Sequence, residues 1–197
     1  MQTYKDQRAI EAASRADWRK WLDEHCRSES FVWLVIYKKE SGVPSVYYPE
    51  AVEEALCYGW IDSKANKRDD QSFYLSFAKR KPASKWSKVN KERVEQLIKK
   101  GLMTDAGMEM IKLAKQTGTW TALEEVDNLA LPADLAKLLS LNKTANANWD
   151  AFSASSKKAI LQWILNAKQA ATRQKRIEET VRLAEQNVKA NEWKPKS

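Results

Sequence analysis

Ala55-Leu56-Cys57-Tyr58-Gly59-Trp60-Ile61-Asp62-Ser63 decides how this chain is read. An apolar run ends in glycine and restarts with tryptophan, isoleucine and aspartate. Pro49 suits the first turn of a helix and Gly59 suits a helix end, so a short helix is expected through Tyr58. Trp60 to Ala65 then predicts a strand. Ser72 to Lys79 predicts another, joined through the polar Asn66-Lys67-Arg68-Asp69-Asp70, and so short a connection favours antiparallel pairing.

Working outward, Phe31 to Lys39 is rich in β-branched and aromatic residues and predicts a third strand. Alternation puts Phe31, Trp33, Val35 and Tyr37 on one face and Val32, Leu34 and Ile36 on the other. The face with three aromatics is the better candidate for a cavity wall. Ser14-Arg15-Ala16-Asp17 opens a helix with Trp18, Trp21, Leu22 and His25 on one stripe. After Pro82 the pattern is helical. Ser84 caps a helix that Gly101 ends, and Thr104 caps the next, with Gly107, Met110, Ile111 and Ala114 inward. Residues 119–131 read as irregular. Pro132 opens a short helix to about Leu141, Asn148 to Phe152 forms a turn, and further helices start at Ser155 and Thr172. The expected fold is therefore α+β: a small three-stranded antiparallel sheet in the N-terminal half and a mostly α-helical C-terminal half. Residues 1–100 would hold the sheet and residues 101–197 a helical part packed on it as one compact unit.

A chain of 197 residues can bury a core without staples. Two cysteines, Cys26 and Cys57, make no disulfide framework. The start shows no apolar signal region and no run approaches a membrane span, so a cytoplasmic protein is expected. The net charge of +8 is uneven: −2 over residues 1–61, +7 over 62–100, −3 over 101–154 and +6 over 155–197. Such a field attracts anions. One histidine and two cysteines cannot build a standard zinc site without carboxylates, and no glycine-rich phosphate loop or Gly-x-Ser-x-Gly elbow is present. No cofactor is implied.

The candidate site gathers around the quoted stretch. On the strand after Gly59, Trp60, Asp62 and Lys64 share a side. Asp62 follows an apolar run and needs a cationic partner, which Arg80, Arg93 or Lys88 can supply. On the helix from Ser84, Trp86, Val89, Asn90, Arg93, Val94 and Leu97 share a face. An unsatisfied buried amide costs about 1–3 kcal/mol, so Asn90 either ties the helix to a nearby carbonyl or points into a pocket with Arg93. Trp33 and Tyr58 complete the ring-lined frame. An acid among aromatic walls suits an amine-bearing ligand through charge and cation–π contact.

Several stretches resemble the YdeI/OmpD-associated, or bacteriocin-protection, family. They are Phe31-Val32-Trp33-Leu34, the run from Ala51 to Ser63, Trp86-Ser87-Lys88-Val89-Asn90, Gly101-Leu102-Met103-Thr104, Ala167-Lys168 and Arg176-Ile177. The likeness runs from about Trp18 to Ile177. Gln169-Ala170-Ala171 stands where the family has a proline, which would let the last two helices run on as one. The resemblance implies a role in stress resistance, including tolerance of cationic antimicrobial peptides, and assigns no catalytic residue. The expected function is a non-catalytic binding module for a small molecule or cationic peptide, with a protein partner as a further candidate. The alternatives are an enzyme using Asp62 as acid or base, oriented by Lys88 or Asn90, and a nucleic-acid or acidic-surface binder using residues 62–100 and 155–197.

Overall fold

The computed structural model describes residues 2–192. They form two compact units that divide between Ala122 and Leu123.

The first unit runs β1 (Thr3–Tyr4), β2 (Gln7–Glu11), α1 (Arg15–His25), β3 (Phe31–Tyr37), α2 (Tyr48–Cys57), β4 (Trp60–Lys67), β5 (Ser72–Lys79), α3 (Lys88–Lys99) and α4 (Asp105–Gln116). Its sheet has five strands in the order β1-β2-β3-β5-β4. The α+β class and the three strands read from sequence stand, but β1 and β2 extend the sheet. Nor is the sheet wholly antiparallel, because β2 runs parallel to β3, with Ala9 opposite Trp33. The hairpin that adds these strands turns on Lys5 and Asp6, both at positive φ. Such turns usually carry Asn-Gly or Asp-Gly. Lys-Asp gives no such signal, and the mostly polar Gln7-Arg8-Ala9-Ile10-Glu11 lacks the alternation that marks a half-buried strand.

The alternation of β3 holds. Val32, Leu34 and Ile36 enter the main core with Trp18, Leu22, Val52, Leu56, Trp60, Phe77, Trp86, Val94 and Leu97. Trp33 and Val35 face the other way, in a smaller cluster with Ala9 and Tyr74. There the Tyr4 ring stacks on Tyr74 at 4.0 Å and meets Trp33 edge-on at 5.1 Å. The aromatic face is thus filled by its own rings.

Helix ends follow side-chain capping. Ser14 and Thr104 accept from the amides three residues on, as their positions predict. The cap of α3 is Ser87 rather than Ser84, so Trp86 precedes the helix and Val89 turns outward at 54% exposure. Gly59 ends α2 at φ +73°. Beyond it α4 approaches closely. The Thr104 amide and hydroxyl both donate to the Cys57 carbonyl, at 3.2 and 2.6 Å. A Cβ at Gly107 would lie 2.2 Å from that same oxygen.

The second unit is helical: α5 (Glu124–Asp127), α6 (Ala133–Leu141), α7 (Lys143–Ala151), α8 (Ala154–Leu165) and α9 (Ala170–Glu185). Leu135, Leu139, Trp149, Ile160, Ile164 and Ile177 form its core. The region expected to be irregular holds the single turn α5, and α7 is longer than the turn expected from Asn148. The last two helices stay separate without a proline, broken between Leu165 and Ala170. No helix among the described residues is long and apolar enough to cross a membrane.

Gly107→Ala is expected to cost at least 2–3 kcal/mol, roughly the upper range of overpacking, because the Cys57 carbonyl is backbone and cannot swing aside. Gly101→Ala, whose Cβ meets nothing within 4 Å, should cost about 1 kcal/mol from its positive φ alone. Denaturant titration of both variants checks the contrast.

Candidate ligand-binding site

Two buried charged groups organise the first unit. Glu54, on the inward face of α2, is 2% exposed and sits between two arginines of α1. Arg15 Nε reaches one carboxylate oxygen at 2.5 Å and Arg19 Nη1 the other at 2.6 Å. Arg19 also donates to the Leu102 carbonyl at 2.9 Å and lies over the Tyr58 ring. Burial is opposed by the Glu54 carboxylate, and both guanidinium groups end above their ordinary pKa. Here charge is matched by charge. Sequence reasoning passed over Glu54; the available signal was a carboxylate among Ala51, Val52, Ala55 and Leu56 on a short apolar helix.

Arg80 is the opposite case. It follows the last residue of β5 and its amide donates to the Gly59 carbonyl at 3.0 Å. The side chain is 4% exposed. Its guanidinium carbon lies 3.8 Å from the centre of the Trp86 ring. Nη1 donates to the Lys85 carbonyl at 3.2 Å, while Nε and Nη2 have no acceptor among the described residues. Burial pulls its pKa down to about 10, against the raising influence of Asp62. A desolvated cation on an aromatic face gains about 2 kcal/mol, less than several kcal/mol of desolvation. The buried indole N–H groups of Trp21, Trp33, Trp60 and Trp86, with Arg8 Nε and Asn66 Nδ2, also have no acceptor among the described residues. Buried donors without acceptors are uncommon in native proteins.

Beside Arg80 lies an open cavity of about 450 Å³. Tyr58, Gly59, Lys79 and Arg80 line one side with Cys26 and Arg27 from the end of α1, and Asp105, Ala106, Glu109 and Met110 of α4 line the other. The two close approaches of α4 build it. A Cβ on Gly59 would lie 2.8 Å from Met110 Cγ and 3.1 Å from the Ala106 carbonyl oxygen. Tyr58 donates its phenol to Asp23 at 3.3 Å, and burial raises its pKa to about 12. Burial also lifts the Cys57 thiol to about 11 and the Cys26 thiol above its usual value. Neither thiol is poised as a nucleophile near neutral pH.

The sequence-derived residues distribute around this corner without sharing one hollow. Tyr58 and Arg80 line the cavity. Trp60 and Trp86 are buried in the core. Trp33 stands on the other face of the sheet from Trp60. Asp62 is half-buried and accepts from the Tyr48 hydroxyl at 3.1 Å. Of its proposed partners, Arg80 feels its charge, whereas Arg93 donates to Asn90 Oδ1 at 3.1 Å. The amide oxygen of Asn90 is thus met within its own helix. Arg93 lines a separate hollow with Glu53, Val89 and Leu97. A register shift between Asp62 and Ala65 breaks the alternation, and Lys64 is exposed, its amide bonded to Ser76 Oγ at 2.8 Å. Lys88 is exposed in the first turn of α3. Missed by sequence reasoning were Arg27, Asp105 and Glu109, which join the cavity only through tertiary packing. Among the described residues no group of three or more His, Cys, Asp or Glu could hold a metal ion.

Arg80→Met keeps an apolar stem on Trp86 and removes a poorly paired buried charge, so it should leave stability unchanged or raise it by about 1 kcal/mol. Glu54→Ala should cost about 2–3 kcal/mol, because Arg19 loses its counter-charge and the charge-assisted bonds between α1 and α2 go, while Arg15 keeps Glu53 at 2.9 Å. Denaturation of the two variants measures the difference. Tyr58 gives a pH signature. Its folded pKa of about 12 exceeds the ordinary value of 10, so its contribution is whole below pH 10 and is lost as pH rises toward 12. Over that window wild type should lose stability relative to Tyr58→Phe, read by denaturation at stepped alkaline pH.

Comparison with known proteins places the chain. Residues 128–187 match the family model described as Bacteriocin-protection, YdeI or OmpD-Associated. Residues 10–110, which hold the cavity and the Tyr58-Gly59-Trp60-Ile61-Asp62 stretch, match the model described as Domain of unknown function (DUF8412). No curated protein and no solved structure matches. The family suspected from the sequence is therefore met in the second unit, and with the other match spanning just over half of the chain, the protein belongs to the DUF8412 family and carries a YdeI/OmpD-associated segment.

Proposed function

We propose that this protein is a non-catalytic binding module whose first unit takes a small anion-bearing ligand in the cavity beside Arg80. The observation that carries the reading is Arg80 itself: a cavity-lining residue whose buried guanidinium has two nitrogens with no acceptor among the described residues. A site that breaks local rules of burial and pairing is a candidate for function, because stability is given up there. The cavity volume of about 450 Å³ falls in the range of small-molecule sites. Three cations, Arg27, Lys79 and Arg80, and two carboxylates, Asp105 and Glu109, line it, so the charged lining is net positive. That favours an anionic group over a cationic peptide as the occupant of this cavity. The YdeI/OmpD-associated match over residues 128–187 supports a link to bacteriocin protection.

The nucleic-acid alternative draws less support. On α9, Arg173 is held in a two-pronged pair with Asp134 at 2.7 and 3.0 Å. Arg176 donates to the Trp163 carbonyl and lies over its ring. Both cations are engaged within their own unit.

Thermal unfolding at fixed ionic strength, with inorganic phosphate, acetate or citrate replacing chloride, tests the binding reading. At least one anion should raise the midpoint of wild type; an anion at 100 times its Kd adds about 2.7 kcal/mol. The shift should vanish in Arg80→Met and in Ala106→Trp, which fills the cavity. Equal shifts in all three proteins, or none in wild type, would refute the site.

A further inference from the structure

The walls of the cavity carry opposite charge. Arg27, Lys79 and Arg80 stand at the ends of α1 and β5, while Asp105 and Glu109 lie one turn apart on α4. Both carboxylates are exposed at the rim. Among the described residues no ion pair closes the gap between the walls, and Lys79 directs its ammonium to the Arg27 carbonyl at 2.7 Å. Opposite charges that line one hollow without meeting leave room for a guest that touches both. The start of α4 adds positive character of about half a charge, which two full carboxylate charges outweigh. The α4 wall is therefore cation-seeking and the β5 wall anion-seeking. Arg80, a lining residue 4% exposed and short of acceptors among the described residues, adds a desolvated cation to the anion-seeking side.

We propose that the site takes a zwitterion: a small molecule with an anionic group drawn to the Arg80 wall and an ammonium drawn to Asp105 and Glu109. An ω-amino acid or a short peptide presenting both termini has this chemistry. The proposal rests on the binding reading above and adds the second charge. Arg80 supplies the desolvated contact. The α4 carboxylates supply selectivity, since exposed charge pairs are worth up to about 1 kcal/mol, or roughly fivefold in affinity.

Calorimetric titration with the ω-amino acids from β-alanine to 6-aminohexanoate, each beside its N-acetyl derivative and its methyl ester, tests this. At least one parent should bind about fivefold tighter than either of its blocked forms. In the Asp105→Asn/Glu109→Gln double variant that parent should lose its advantage over its N-acetyl derivative, which itself should bind the variant no more weakly than wild type. Parents and N-acetyl derivatives binding alike would overturn the zwitterion while leaving the anion site standing. Absence of binding by every compound would overturn the zwitterion too, and if inorganic anions also gave no thermal shift the underlying site would fall with it.

Discussion

A helix can reach a carbonyl oxygen this closely only where it carries no side chain. Gly107 lets α4 settle on the carbonyl of Cys57, and Thr104 fastens it there with its amide and hydroxyl. That contact sets the distance between α4 and the turn from α2 into β4. Gly59, at positive φ and just below Met110 and Ala106, completes the fit. Everything proposed for the cavity depends on it, because the acidic wall belongs to α4 and the basic wall to the strand end that Gly59 anchors through Arg80.

Within this frame the molecule treats two buried charged groups differently. Glu54 is neutralised by Arg15 and Arg19 and welds α1 to α2. Arg80 rests on an indole ring and one carbonyl, with Nε and Nη2 meeting no acceptor among the described residues. The first arrangement serves cohesion. The second is expected to lower stability relative to an apolar residue, which is why the proposed anion site is placed there. The contrast is the physical reason for locating function at Arg80 rather than at the more elaborate network around Glu54.

Much of the fold was legible in the sequence because periodicity and capping are local. Phe31–Tyr37 alternates, Thr104 caps, and Gly59 breaks where a left-handed residue is needed. The β1–β2 hairpin was not legible, since Lys5 and Asp6 adopt positive φ without glycine or asparagine to announce it. The site was half legible. Tyr58 and Arg80 were named from their neighbourhood, and both line the cavity. Trp60 and Trp86 were named for the same reason, yet large rings at the junction of helix and sheet are drawn into the core. Arg27, Asp105 and Glu109 come from segments far apart in the chain, and only the seating of α4 assembles them. No local pattern encodes that meeting.

On the proposed reading, Arg80 is kept as a buried cation beside the cavity in order to meet an anion. Nitrogen-15 NMR of the arginine side chains reads this directly, with the Arg80 Nε–H resonance assigned by its loss in an arginine variant at that position. On titration with inorganic phosphate the account predicts a saturable shift of this resonance, together with slowed exchange of its proton with water. An Arg80 resonance indifferent to phosphate, while those of exposed arginines drift with ionic strength, would contradict it.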